Sequence, residues 1–211
     1  MKKNIILITF FSLILSANLF SSEKNSLGYL DAGMSYQFFY EQGYLSTGSE
    51  DILAFTTMHS LSFDLSSQSY FSEKGKVGFG FAGNFFFPQA IKIITEYDYS
   101  ESLTASDFDL IMGISFLIGP AIRPIHKDNF ILSIIPGITF SNIFISADES
   151  SFLQLFGLGA EVASNIFLTD ITYLKLGIDY RYFMFSNGNQ GFNREDSFTF
   201  QPKIAIGFAV K

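Results

Sequence analysis

The sequence predicts an all-β protein, a closed antiparallel up-and-down barrel of eight strands that crosses a membrane. Two observations favour this fold class. Apolar residues alternate with small or polar ones over most of the 211-residue chain, which is the pattern of strands with two unlike faces. In addition, only 16% of the residues are charged, below the roughly 25% of soluble domains. A water-facing exterior would need more charge than this.

The first residues predict export. Lys2 and Lys3 precede an apolar run from Ile5 to Leu15, and small residues such as Ala17 follow. A positive start, a short apolar run and a small-residue tail are typical of a secretory signal peptide. The run is shorter than the about 20 residues that a membrane-spanning helix needs. We therefore assign residues 1–22 to a signal peptide and short leader, and residues 27–211 to the barrel.

Eight alternating runs follow the leader. In the first of them Leu30, Met34 and Phe38 occupy even positions, whereas Asp31 and Ser35 occupy odd ones. Each run is long enough to cross a bilayer as a tilted strand, which takes about 9–11 residues. The long helical periodicity of a βαβ fold is missing. The predicted strands are 29–40, 54–65, 77–87, 107–118, 130–141, 152–165, 172–184 and 198–210.

Alternation alone does not tell which face points outward, because a soluble barrel that carries a lipid inside has the same pattern. Side-chain volume separates the two cases. The apolar face carries many of the 27 phenylalanines, and an eight-stranded interior is barely wide enough for side chains to fill it. The opposite face is mostly Gly, Ala, Ser and Thr. We therefore expect the phenylalanines to face lipid and the sheet to close, so that every backbone polar group is paired.

This pattern resembles the small eight-stranded outer-membrane barrels of the OmpW, OmpX and OmpA-transmembrane-domain kind. The composition, rich in Phe, Ile, Asn and Ser, also looks like that of small spirochaete barrels. The resemblance covers residues 27–211 and rests on the alternation, not on a motif. It implies a multi-pass barrel of the bacterial outer membrane, surrounded by outer-membrane lipid and inserted by the barrel-assembly machinery. In such families the last strand usually ends on an aromatic residue, whereas this chain ends on Lys211.

Strand parity places a set of charged residues in the lumen. An isolated charge in so narrow a space is costly, so acids and bases are expected to pair. We read the members of this set other than Asp64 as one network that either supports the fold or forms the constriction of a narrow pore. Glycines on the same face, Gly113 and Gly207 among them, would either leave room for water or accommodate the curvature of the barrel. The charged set is Asp31, Asp64, Asp109, Glu161, Lys175, Asp179, Arg181 and Lys203.

The predicted connections at one end of the barrel are acidic. Segments 41–53, 88–105, 142–151 and 186–196 hold ten acidic and two basic residues. Such a rim is either simply solvated or attracts divalent cations, which bind carboxylate oxygens. The most apolar stretch, 91–99, is the candidate contact surface for an extracellular partner. Its apolar residues are Ile91, Ile93, Ile94, Tyr97 and Tyr99.

Composition removes several classes of function. The chain has no Cys, and its net charge of −7 argues against nucleic acid as a partner. The two histidines, His59 on the lipid face and His126 in a predicted turn, lie away from any Ser–acid pair, so we expect neither an enzyme nor a cofactor. The function that we favour is a narrow passive pore for small solutes with a charged lumen. The alternatives are a non-conducting surface barrel, which binds a partner through its acidic extracellular loops or stabilises the membrane, and a soluble periplasmic lipid-binding barrel.

Overall fold

The computed structural model describes residues 27–46, 51–72, 74–97, 99–146, 150–187 and 192–210, so the predicted signal peptide lies outside the described residues. Within them the chain forms nine strands and one 3₁₀ turn, Ala105–Asp107. No helix in this part of the chain could cross a membrane. The strands are β1 (Leu27–Ser46), β2 (Asp51–Tyr70), β3 (Val77–Thr95), β4 (Ser100–Thr104), β5 (Leu110–Lys127), β6 (Phe130–Ser146), β7 (Ser150–Phe167), β8 (Thr172–Asn187) and β9 (Phe192–Val210).

Eight of these strands close into a barrel, which confirms the predicted fold. Each strand pairs antiparallel with its neighbours along the chain, and β1 closes the sheet by pairing with β9, from Gly28 opposite Val210 onwards. Closure leaves no open edge, as a lipid environment requires. The short β4 pairs with the end of β3, opposite Ala90 to Ile94, and adds a hairpin to one end of the barrel.

The barrel strands are longer than predicted. They contain between 16 and 20 residues. At about 3.3 Å per residue and a tilt of roughly 45°, 20 residues rise about 45 Å, more than the apolar band of about 25 Å. The strands therefore continue beyond the lipid at the end where β1 stops at Ser46 and β3 at Thr95. We call this the outer end, and most of the predicted connections 41–53 and 88–105 are in fact strand.

The side chains alternate between lipid and lumen as predicted. Met34, Phe63 and Ile138 point outward and are 51%, 57% and 66% exposed, whereas Gln37 and Asp64 point inward and are buried. Towards the outer end polar residues appear among the outward side chains. These polar residues are His59, Gln89, Asn142, Gln154 and Asp196.

Candidate functional site

The opposite end of the barrel, the inner end, is closed by Arg123 with Tyr29, Tyr70 and Tyr173, a group that we call the inner plug. Arg123 is fully buried, and its guanidinium lies 4.1 Å from the centroid of the Tyr70 ring. It also donates a hydrogen bond of 3.2 Å to the Tyr29 hydroxyl. Tyr29 packs edge-on against the other two rings, at 5.8 and 5.9 Å between centroids.

Above the inner plug lie seven buried charged side chains, the charge network. Glu161 is at its centre, 2.7 Å from the Nζ atoms of both Lys175 and Lys203. Lys175 continues to Asp31 at 3.2 Å, and Lys203 continues to Asp179 at 3.3 Å. The members are Asp31, Asp64, Glu161, Lys175, Asp179, Arg181 and Lys203, all below 10% exposed.

Arg181 completes the network towards the outer end. Its Nε and one terminal nitrogen donate to the two carboxylate oxygens of Asp179, at 2.9 and 2.7 Å. This two-point pairing is the geometry in which a guanidinium binds a carboxylate most strongly. The other terminal nitrogen donates to the Ser115 hydroxyl. Arg181 and Asp179 are thus held by direct contact with each other inside the protein.

Seven of the eight charged residues placed in the lumen by parity thus come together. The placement of Asp109 was wrong, because β5 begins only at Leu110 and Asp109 lies exposed at the outer end. Its backbone N–H donates to the carbonyl of Ser146. Asp31 does lie on the strand beside Lys203, but its ion-pair partner is Lys175.

The lumen glycines make room for neighbouring side chains. A Cβ atom on Gly113 would overlap the ring of Phe86, and one on Gly207 would overlap the ring of Tyr173. A Cβ on Gly80 would approach Ile135 to 2.8 Å. The space that these glycines free is therefore occupied by protein, not left for water as the sequence suggested.

An apolar layer separates the charge network from the outer end. All its members are less than 5% exposed, and they come from six different strands. The sequence predicted a lumen face made mostly of Gly, Ala, Ser and Thr, so this layer was not expected. The residues are Phe39, Met58, Phe86, Ile143, Leu155 and Phe183.

Above this layer the barrel opens into a cavity of about 280 Å³, which we call the mouth cavity. Its floor includes Phe39 and Met58 of the apolar layer, and its wall includes Leu103 from the β4 hairpin. Glu41 and Thr56, which lie opposite each other on β1 and β2, provide polar side chains in an otherwise apolar lining.

The structure divides the candidate contact segment between two surfaces. Ile91 and Ile93 point inward and line the mouth cavity, whereas Ile94, Tyr97 and Tyr99 are exposed at 37%, 66% and 58%. Extracellular partners and divalent cations stay predictions. Within the described residues no three His, Asp or Glu side chains converge in a way that would hold a metal ion.

Hydrogen bonds fix the hairpin that carries this segment. The Tyr99 hydroxyl donates to Glu101 at 3.2 Å, and this bond raises the pKa of Tyr99. The backbone N–H of Thr104 donates to Asp107 at 2.6 Å and its hydroxyl at 3.0 Å. Both bonds favour the ionised carboxylate and lower the pKa of Asp107.

The two histidines are not among the residues that fill the lumen. His59 lies on the outer face, as parity predicted, and its Nδ1 is 2.7 Å from the Tyr36 hydroxyl. The ring of Phe38 packs 5.2 Å away. His126 is exposed near the inner end of β5. His59 thus belongs to the polar and aromatic girdle where lipid meets water.

Solved structures share this architecture. OprG of Pseudomonas aeruginosa superimposes with a TM-score of 0.61 at 12% identity, covering 90% of this chain and 98% of OprG. Neisserial surface protein A gives 0.56 at 11%, covering 86% and 96%. Ail of Yersinia pestis, in complex with the heparin analogue sucrose octasulfate, gives 0.52 at 10%, covering 88% and 99%.

This chain has the fold of an outer-membrane β-barrel. The closed eight-stranded fold and the exposed apolar band decide this together. No family model matches the sequence and no curated protein is similar to it, so the likeness is one of fold. The exposed apolar band is the surface that lipid covers in a barrel of this fold, so the function has to be sought in the lumen and at the two ends.

Proposed function

We propose that this barrel does not conduct solutes and instead binds a small apolar molecule in the mouth cavity, from outside the cell. The observation that carries the proposal is the cavity itself, about 280 Å³, with an apolar lining and a closed floor. Small-molecule sites are typically about 300–1,000 Å³, mostly apolar, with a few polar groups that orient the ligand. The volume therefore favours a small ligand, and Glu41 and Thr56 are the groups that would orient it.

The packing of the lumen favours binding over conduction. A pore needs a continuous polar path that an ion or solute can enter and leave. Here the apolar layer, the charge network and the inner plug lie in series, and the side chains of all three are buried. This supports the non-conducting surface barrel among the three predicted functions, with the mouth cavity in place of the acidic rim as the binding surface.

A fluorescence experiment in lipid nanodiscs tests the proposal. The chain contains no Trp, so Phe108→Trp on the cavity wall would be the only tryptophan. We expect bromobenzene, a small apolar quencher, to quench it with a saturable dependence on concentration. Quenching of Phe208→Trp on the lipid face should instead rise linearly, because there the quencher only partitions into lipid.

A matched pair of substitutions provides the control. Ala54 is buried and lines the cavity, so Ala54→Phe should fill it and remove the saturable component. Ala90→Phe places the same side chain at an exposed position outside the cavity and should leave saturation unchanged. Linear quenching of Phe108→Trp with Ala54 intact would refute the binding site.

A further inference from the structure

One carboxyl group of the charge network has no cation of its own. The network contains four acids and three bases. Lys175 pairs with Asp31 and Glu161, Lys203 with Glu161 and Asp179, and Arg181 with Asp179. Three acids therefore share the three cations. The fourth acid, Asp64, lies 3.8 Å from the Lys203 Nζ, which is already committed to two closer carboxylates.

Asp64 also faces another hydrogen-bond acceptor. It is the register partner of Asn84 on β3, and directly opposed side chains on one face have Cβ atoms about 4.5–5.5 Å apart. The Oδ1 of Asp64 accepts a bond of 2.8 Å from Gln201, whereas its Oδ2 is buried and has no hydrogen-bond partner within the described residues.

Asn84 has the complementary arrangement. Its Nδ2 donates to Gln37 at 2.9 Å, and its Oδ1 is buried and likewise lacks a partner in the described part of the chain. Two buried acceptors thus lie on neighbouring strands at the same register position. Buried oxygens of this kind are almost always hydrogen-bonded, so a donor is needed between them.

We propose that Asp64 carries a proton in the folded barrel and donates it from Oδ2 to Asn84 Oδ1. One proton gives both oxygens a partner and leaves three negative against three positive charges in the network. A buried carboxylate without its own cation is costly, and such a group becomes neutral by binding a proton. A reversed Asn84 amide or an ordered water between the two oxygens would also supply a donor, but either would leave the excess charge in the lumen.

The proposal predicts opposite outcomes for two isosteric substitutions in one network. Asp64→Asn supplies an N–H where we place the O–H and removes no charge, so the midpoint of thermal unfolding should stay the same or rise. Asp179→Asn removes a carboxylate that balances Arg181 and Lys203, so its midpoint should fall by many degrees. A fall for Asp64→Asn as large as that for Asp179→Asn would overturn the proposal.

Infrared spectroscopy tests the proton directly and does not depend on the second variant. The wild-type barrel at pH 7, in lipid, should show the carbonyl stretching band of a protonated carboxylic acid, and this band should be absent from Asp64→Asn. Asp31→Asn, within the same network, should keep the band. Absence of the band from the wild-type protein, or its persistence in Asp64→Asn, would show that Asp64 is ionised and that another donor satisfies it.

Discussion

Arg181 illustrates how a charge is tolerated at the centre of a membrane-spanning barrel. Its guanidinium is 1% exposed, and both carboxylate oxygens of Asp179 accept hydrogen bonds from it. A buried pair of this kind contributes little relative to well-packed apolar residues, but removing one partner leaves an uncompensated charge. The decrease in the free energy of unfolding when Arg181 is replaced therefore measures how well water is excluded from the lumen.

We expect Arg181→Met to lower the free energy of unfolding by about 3–5 kcal/mol, the range for breaking a buried ion pair. Urea unfolding of the barrel in lipid vesicles measures it. Lys92→Met removes an exposed cation and is the matched control, with an expected change of at most about 0.5 kcal/mol. Equal effects for the two variants would mean that water already reaches Asp179.

The charged residues also show which features of the lumen could be predicted from the sequence. Glu161, Lys175 and Lys203 could be placed in the lumen because side chains of a strand alternate strictly. Their individual partners could not be predicted, because these depend on the register of neighbouring strands, which sets Glu161 opposite Asp179 and Lys203 opposite Gly177. Arg123 was missed: it lies beside an irregularity in the β5–β6 pairing, between Ile122 and Ile125, that no residue pattern announces.

At the scale of the strand, glycine and aromatic residues of the lumen face pack as pairs on neighbouring strands. Phe86 on β3 and Gly113 on β5 are register partners, and the ring occupies the volume that any side chain at residue 113 would need. Tyr173 and Gly207 have the same relation across β8 and β9. Each glycine thereby helps to close the lumen, although glycine on a lumen face suggested space for water.

Gly113→Ala should destabilise the barrel by about 1–3 kcal/mol, because overpacking displaces the Phe86 ring. Phe86→Ala removes that ring and leaves a cavity, which is destabilising in its own right. In the double variant the new methyl group enters the vacated space, so the combined loss should be smaller than the sum of the two single losses. A double-mutant cycle from urea unfolding measures this coupling, and additive effects would contradict the pairing.

The strand ends were predicted less well than the strand centres, for a physical reason. Towards the outer end some outward side chains are polar, as with Gln42 and Gln89, and the contrast between the two faces weakens. The backbone ladder nevertheless continues: Met58 of β2 still pairs with Ile91 of β3. Deleting residues 91–99 would therefore cut into the barrel wall, and point substitutions at Tyr97 and Tyr99 are the suitable test of partner binding.

For the whole molecule, the fold could be predicted from alternation and composition, whereas the closure of the lumen could not. Volume placed most phenylalanines in lipid, yet Phe39, Phe86 and Phe183 point inward and form half of the apolar layer. A narrow barrel needs only a few large side chains to close it. These side chains close the lumen only in the assembled barrel, because they come from different strands and meet at the same level.

The barrel should therefore show no unit conductance in planar bilayers, because three closed layers lie in series along its axis. Opening one layer leaves the other two in place, so Phe86→Ala and Arg123→Ala should each remain silent as well. Unboiled gel migration establishes that each variant is a folded barrel before it is recorded. Steady unit conductance of the wild-type protein would restore the narrow pore as the function and displace binding in the mouth cavity. Conductance in Phe86→Ala but not in Arg123→Ala would identify the apolar layer as the one real barrier, with water already filling the lumen below it.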